Sequence, residues 1–139
     1  MASSTGPTIG TTLARFGAKV THVQPVQPSV DPWNAVVFGL QAQRGKESVL
    51  IDLGTEGGRA ALDRLLAGAD VVTMNGTDAQ RDALGLAPDR LARLNPALIL
   101  VQLDAFGGPR RGPKSDHLGY DDLAQAAQLL SRSCKPTAT

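Results

Sequence analysis

Ser48-Val49-Leu50-Ile51-Asp52-Leu53-Gly54-Thr55-Glu56-Gly57-Gly58-Arg59, followed by Ala69-Asp70-Val71-Val72-Thr73-Met74 and Ala97-Leu98-Ile99-Leu100-Val101-Gln102-Leu103-Asp104, decides the fold. Short apolar runs alternate here with helical patterns, the signature of parallel βαβ units. Residues 48–53 read as a strand, bounded by charge at Lys46 and Glu47 and by Gly54. Thr55 is suited to cap a helix and Glu56 to the positive end of its dipole. Ala61, Leu62, Leu65 and Leu66 then recur at helical spacing until Gly68 ends the pattern. Residues 70–74 read as the next strand. Parallel strands need a crossover connection, almost always right-handed, so the spacing predicts that these two strands are parallel neighbours.

Downstream, Asn75-Gly76-Thr77-Asp78 reads as a turn, and helical patterns follow at residues 79–84 and 88–94. Pro88 suits a first helical position, while Asn95-Pro96 is a stop signal. Residues 97–103 are almost continuously apolar, as a strand covered on both faces would be. Upstream, residues 10–16 read as a helix ended by Gly17, and residues 18–23 as a strand. The expected fold class is therefore α/β, a Rossmann-like three-layer parallel sheet, incomplete, with about four strands. Residues 24–34, with Pro25, Pro28 and Pro32, read as a loop, and so do residues 107–113, with Pro109, Arg110 and Arg111. Residues 123–130 read as a helix. Residues 131–139 are polar, aperiodic and contain Pro136, so a disordered tail is expected after a partial domain spanning 1–130.

With 139 residues the chain has room for one domain or part of one. Apolar residues at 42% and charged residues at 19% are enough for a packed core and argue against wholesale disorder. Lys plus Arg total 14 against 13 Asp plus Glu, so the strong basic excess of a nucleic-acid or anionic-membrane binder is missing. Cys134 is the single cysteine and cannot form an internal disulfide. With only His22 and His117 beside it there is no zinc set, so no metal is expected. A reducing cytoplasm is the expected location. No run approaches the 18 or so apolar residues of a membrane span, and Met1-Ala2-Ser3-Ser4-Thr5-Gly6-Pro7 has no basic region followed by an apolar block.

Open parallel sheets bind ligands beyond the carboxyl ends of their strands, so the segments after Val23, Leu53, Met74 and Leu103 are the ones to inspect. Gly54, Gly57 and Gly58 fit neither GxGxxG nor GxxxxGK[ST], and ordinary turn and helix-start glycines explain them better. Asn75-Gly76 is a standard turn pair, structural as readily as functional. Arg110 and Arg111, with Lys114 nearby, are suited to a phosphate or carboxylate, although a solvated basic loop is the commoner explanation. Neither His22 nor His117, near Tyr120, has the context of a nucleophile–base pair. Asp104, Asp121 and Asp122 are carboxylates near the strand ends, and helix capping accounts for the last two. Cys134 carries no local signal.

Several strings, in order, resemble the N-terminal part of the family III CoA-transferases and related acyl-CoA racemases. Arg44-Gly45-Lys46-Glu47-Ser48-Val49 with Asp52-Leu53 is similar to the family's (N/R)-x-K-R-S-(V/I)-x-x-D-L segment. Thr55-Glu56-Gly57-Gly58-Arg59 is similar to its T-P-E-G-R helix start, and Ala69-Asp70-Val71-Val72 with Asn75 to its A-D-V-V-x-E-N-F. Leu84-Gly85-Leu86, Leu94-Asn95-Pro96, Phe106-Gly107, Gly112-Pro113 and Gly119-Tyr120-Asp121 with Ala124-Gln125-Ala126 complete a run from Gly6 to Ala127.

The resemblance implies a Rossmann-like domain joined to a smaller one, two chains interlinked as rings, and coenzyme A or acyl-CoA as substrate. It places CoA near Ile51, Leu53, Gly54, Asn75, Gly76 and Tyr120. Tyr120 stands where the racemase branch has histidine, which favours a transferase. Gly54 stands where lysine is usual, Met74-Asn75-Gly76-Thr77-Asp78 replaces Glu-Asn-Phe and a basic residue, and His22 and Gln24 replace lysine and glutamate. The family's first strand has no counterpart before Gly6-Pro7, and its catalytic aspartate lies in a G-D segment beyond the G-Y-D motif. The expectation is the CoA-binding part of a transferase that moves CoA between an acyl-CoA and a carboxylic acid. No catalytic residue is assigned, the chain alone is expected to be inactive, and a homodimer or second chain supplies what is missing. The alternative is a non-catalytic assembly or interaction module with a degenerate CoA site. An unpaired sheet edge predicts oligomers or poor solubility.

Overall fold

In a computed structural model of the chain, which describes residues 5–27, 32–106, 112–117 and 119, the alternating segments become nine elements. They are α1 (Thr5–Arg15), β1 (Thr21–Pro25), α2 (Pro32–Ala42), β2 (Glu47–Ile51), α3 (Glu56–Ala67), β3 (Val71–Asn75), α4 (Asp78–Ala83), α5 (Pro88–Leu94) and β4 (Ile99–Leu103). The Thr55 hydroxyl accepts from the Gly58 amide at 3.0 Å and opens α3. Thr77 and Gln80 form a reciprocal capping box at the start of α4, which satisfies two amides that the helix itself cannot. Pro88 occupies the first turn of α5, where its missing N–H costs nothing.

The strands form two parallel pairs, β1 with β2 and β3 with β4, in registers that set Pro25 opposite Ile51 and Asn75 opposite Leu103. The expectation that β2 and β3 are neighbours is therefore wrong. Met74 packs into the core with Leu66 of α3 and Leu91 of α5, whereas on the adjacent residue, Asn75, Cβ lies 3.2 Å from the Cβ position of Gly6 on α1. Successive strand side chains face opposite sides, so α1 and the α3–α5 layer cover opposite faces. Right-handed crossovers on opposite faces travel in opposite directions across a sheet. The chain thus winds one way through α1, β1, α2 and β2, then returns through α3 to begin β3 on the far side of β1.

Two further readings change at their edges. Residues 24–34 are not all loop, since Pro25 is the last residue of β1 and Pro32 the first of α2, both positions that tolerate a missing amide proton. The first helix starts at Thr5 rather than near Gly10, with Pro7 accommodated in its first turn. The helix expected at 123–130, the tail at 131–139 and Cys134 lie outside the described residues, as do positions 107–111.

The core gathers in the second half. Leu66, Met74, Leu86 and Leu91 are buried together, with Leu62, Val72, Leu94, Leu98 and Leu100 packed around them. Arg90 fastens α5 to α3 through Asp63 at 2.5 Å and also donates to the Gly85 carbonyl at 2.8 Å. In the first half only Ala42 and Ile51 are buried apolar residues among those described, while Trp33, Val36, Val37 and Leu40 form an exposed apolar stripe along α2. Among the described residues no helix is long and apolar enough to cross a membrane.

Candidate functional site

Because both strand pairs are parallel and α1 begins beside Asn75, the carboxyl ends at Pro25, Ile51, Asn75 and Leu103 share one edge of the molecule. The winding reverses between β1 and β3, and in doubly wound folds the ligand crevice opens at that point. The amino-terminal turn of α1 borders it beside Asn75.

One candidate segment follows β2. Ile51 is buried, Leu53 half-buried and Gly54 exposed. The Gly54 amide donates to Asp52 Oδ1 at 2.9 Å, and the Asp52 carbonyl accepts from the Thr55 hydroxyl at 2.9 Å and the Thr55 amide at 3.2 Å. Gly58 lies so close to the same carbonyl that a Cβ there would overlap it. The turn that carries Gly54 is thereby locked onto the first turn of α3.

The other candidate segment follows β3. The Gly76 amide donates to the Leu103 carbonyl at 3.1 Å, and the Gly76 carbonyl accepts from Gln102 Nε2 at 3.1 Å. Gln102 also donates to Asp78 Oδ1 at 3.0 Å, while Arg81 Nη1 donates to Asp78 Oδ1 at 2.9 Å and to Gln102 Oε1 at 3.2 Å. The Asn75-Gly76 turn therefore hangs on a polar network anchored in β4 and α4, with Thr77 buried beneath it.

Of the residues singled out by sequence, Asn75 and Gly76 lie together at the carboxyl end of β3, and Ile51, Leu53 and Gly54 at the carboxyl end of β2 and just after it. Tyr120 is outside the described residues, although its neighbour Gly119 packs so tightly on Ala105 that a Cβ would overlap it. Arg110 and Arg111 are also outside, and Lys114 and His117 are exposed. His22 is half-buried on β1, with Nδ1 3.0 Å from the Gln24 amide nitrogen and Nε2 3.5 Å from that of Gln43. Burial, then the nearby Lys46 ammonium, hold its pKa below the usual 6.5. Lys46 is itself pushed down by burial, and its Nζ donates to the Pro7 carbonyl at 2.6 Å. Held between two carboxamides, His22 forms no nucleophile–base pair among the described residues, which also contain no cluster of three or more His, Cys, Asp or Glu suited to a metal.

Sequence reasoning missed the Gln102, Asp78 and Arg81 network. Its signal was present, since Gln102 is the lone polar residue in the apolar run of β4. A cavity of about 430 Å³ lined by Thr11, Ala14, Arg15, Gln41, Arg44 and Gly45 opens at the opposite, amino-terminal edge of the strands, away from this crevice.

A parallel α/β unit whose strand carboxyl ends share one edge is the class of domain that holds nucleotide-containing ligands at that edge. The chain belongs to the CoA-transferase family III, whose family model matches residues 2–136. It is 41% identical over 132 residues to the CoA-transferase/lyase DddD of Marinomonas sp. (strain MWYL1), covering 94% of this chain and 16% of that protein. It is 35% identical over 143 residues to the probable fatty acyl-CoA transferase Rv3272 of Mycobacterium tuberculosis, covering 95% of this chain and 35% of that protein. A crystal structure of Rv3272 superposes with a TM-score of 0.77, covering 99% of this chain and 37% of that one. The chain thus spans 16% to 35% of the length of these two relatives.

Proposed function

We propose that this chain is the CoA-binding front of a family III CoA-transferase that moves CoA between an acyl-CoA thioester and a carboxylic acid. The observation that carries this reading is the pinned Asn75-Gly76 turn at the carboxyl end of β3. In this reading the adenosine and phosphates lie along Ile51, Leu53, Gly54, Asn75 and Gly76, and the resemblance assigns Tyr120 to the same ligand. The amino-terminal turn of α1 supports it, because the positive end of a helix dipole favours phosphate.

Transfer would run through an aspartate carboxylate that attacks the thioester carbonyl, so that the carbon–sulfur bond breaks and CoA thiolate leaves a mixed anhydride. That aspartate is assigned to the part of the enzyme beyond this chain, and neither Asp104 nor Asp121 is given the role. In this reading the chain acts in the cytoplasm and works as a homodimer or with a second chain, and transfer is not expected from this segment by itself.

Isothermal titration tests the binding. CoA is expected to bind, and Asn75→Ala to weaken it by about tenfold, the worth of one well-placed polar contact. No CoA binding, either alone or with the rest of a family III enzyme supplied in trans, overturns the reading.

Exposed Gly54, which offers no cation where the family pattern has lysine, favours a second reading as a non-catalytic assembly module. Binding of a partner chain without any binding of CoA would select it.

A further inference from the structure

The residue that follows an asparagine decides how readily its carboxamide reacts with the main chain. The sequence has three asparagines: Asn34 precedes Ala35, Asn95 precedes Pro96 and Asn75 precedes Gly76. Pro96 has no amide proton to give up, and the Ala35 methyl crowds its own nitrogen. Gly76 has no Cβ, so its nitrogen is unshielded and its backbone reaches conformations closed to other residues. Where the family string has Asn-Phe, this chain has the most reactive pair of the three.

The structure exposes one half of the pair and restrains the other. Asn75, the last residue of β3, is exposed, and among the described residues no hydrogen bond holds its carboxamide. The Gly76 nitrogen is held by its bond to the Leu103 carbonyl at 3.1 Å, one step past the end of the β3–β4 ladder. Gln102 steadies that step, because its Nε2 donates to the Gly76 carbonyl at 3.1 Å from the same strand.

We propose that Asn75-Gly76 is a self-modifying site, at which the Gly76 nitrogen, once released from Leu103, converts the Asn75 carboxamide into a carboxylate in the folded chain. The nitrogen gives up its proton and bonds to Asn75 Cγ. The bond from Cγ to Nδ2 breaks, ammonia leaves with that proton, and a cyclic imide closes. Water then opens the ring at either carbonyl, so asparagine and water become ammonia and aspartate or isoaspartate. The nitrogen cannot attack while its proton is engaged, so the rate follows local opening of the turn rather than global unfolding.

The product has a place in the fold. The first turn of α1 stands beside Asn75, with the Cβ position of Gly6 3.2 Å from Asn75 Cβ, and the positive end of a helix favours a carboxylate. The isoaspartate form lengthens the main chain by a carbon between β3 and Gly76, which takes the Gly76 amide off the Leu103 carbonyl. The conversion needs no ligand. Its consequence for CoA rests on the function proposed above: a carboxylate added to this turn repels phosphate, so the converted chain is expected to bind CoA about tenfold more weakly. Conversion with unchanged CoA binding would move the phosphates elsewhere and support the modification alone.

The test incubates the whole chain at neutral pH and follows each asparagine by peptide mass mapping, which reads the replacement of NH2 by OH, with isoaspartate methyltransferase labelling as a second readout. Conversion at Asn75 is expected to run about tenfold or more ahead of Asn34 and Asn95. In Gln102→Ala it is expected to be about fivefold faster, the worth of one neutral hydrogen bond. Gln102→Met, of similar shape and without the donor, takes its place where the alanine variant does not fold. Asn95→Ala, which destabilises the chain ahead of β4 and far from the turn, is expected to leave the rate at Asn75 within about twofold. No conversion in the folded chain while the urea-unfolded chain converts, an unchanged rate in the Gln102 variants, or equal acceleration in Asn95→Ala would each overturn the proposal.

Discussion

The side chain of Asn95 closes the end of α3 by donating to the Leu66 carbonyl at 3.1 Å, and the same amide donates to the Ala69 carbonyl at 2.9 Å. Carbonyls in a last helical turn have no partner within the helix, and here the turn before β4 supplies one. The Asn95 oxygen in turn accepts from the Ala97 amide at 3.1 Å. Asn95→Ala is expected to cost about 1–3 kcal/mol in urea denaturation, because it takes the donor from the Ala69 carbonyl, while the Leu66 carbonyl keeps the Ala69 amide at 3.3 Å. A loss within the error of the midpoint would mean that water replaces the side chain.

Two adjacent glycines in α3 should respond in opposite directions. Gly58→Ala drives a Cβ into the Asp52 carbonyl, whereas Gly57 has nothing within 4 Å of its Cβ position. Gly57→Ala is expected to stabilise by about 0.5–1 kcal/mol through helix propensity. Gly58→Ala is expected to destabilise by about 1–3 kcal/mol, the usual cost of overpacking. Thermal melts of the pair check both, and equal shifts would show that the close approach at Asp52 relaxes freely.

Gln102→Ala removes the donor shared by the Gly76 carbonyl and Asp78. The turn should loosen before the fold does. We expect about 1 kcal/mol of lost stability and CoA affinity weakened by about tenfold, read by melting and by titration. Unchanged affinity with lost stability would move the CoA contact away from this turn.

The pH dependence follows from His22, whose folded pKa lies below its usual 6.5 because burial and Lys46 disfavour the cation. The unfolded chain then binds the extra proton first, so this contribution is complete above about pH 6.5 and is lost as pH falls through the folded pKa. His22→Gln keeps an amide partner for Gln24 and is expected to flatten the slope of stability below pH 6.5. An unchanged slope, measured by urea midpoints at several pH values, would assign the acid sensitivity elsewhere.

The alternation from Ser48 to Asp104 was enough to read three of the four strands, their parallel sense, the Thr55 cap and the Pro88 helix start, because each depends on residues close together in the chain. Strand adjacency was not legible. Local spacing fixes a crossover, but which edge β3 joins depends on the face that α3 covers, a relation between Met74 and Asn75 that no local pattern carries. The crevice could be located from the strand ends, and Asn75 and Gly76 were found there. The network that holds them was not, since Gln102 and Arg81 meet Asp78 only after β4 returns beside β3.

The uneven core has a consequence for how the molecule comes apart. Among the described residues, four of the six buried apolar side chains belong to the α3–β4 half, while α2 leaves Trp33, Val36, Val37 and Leu40 in water. Cooperative units within a native protein open according to the apolar contacts that each one closes. The segment from Glu56 to Leu103 is therefore expected to exchange its amides slowest, and the segment from Thr5 to Ile51 to open and reclose upon it without global unfolding.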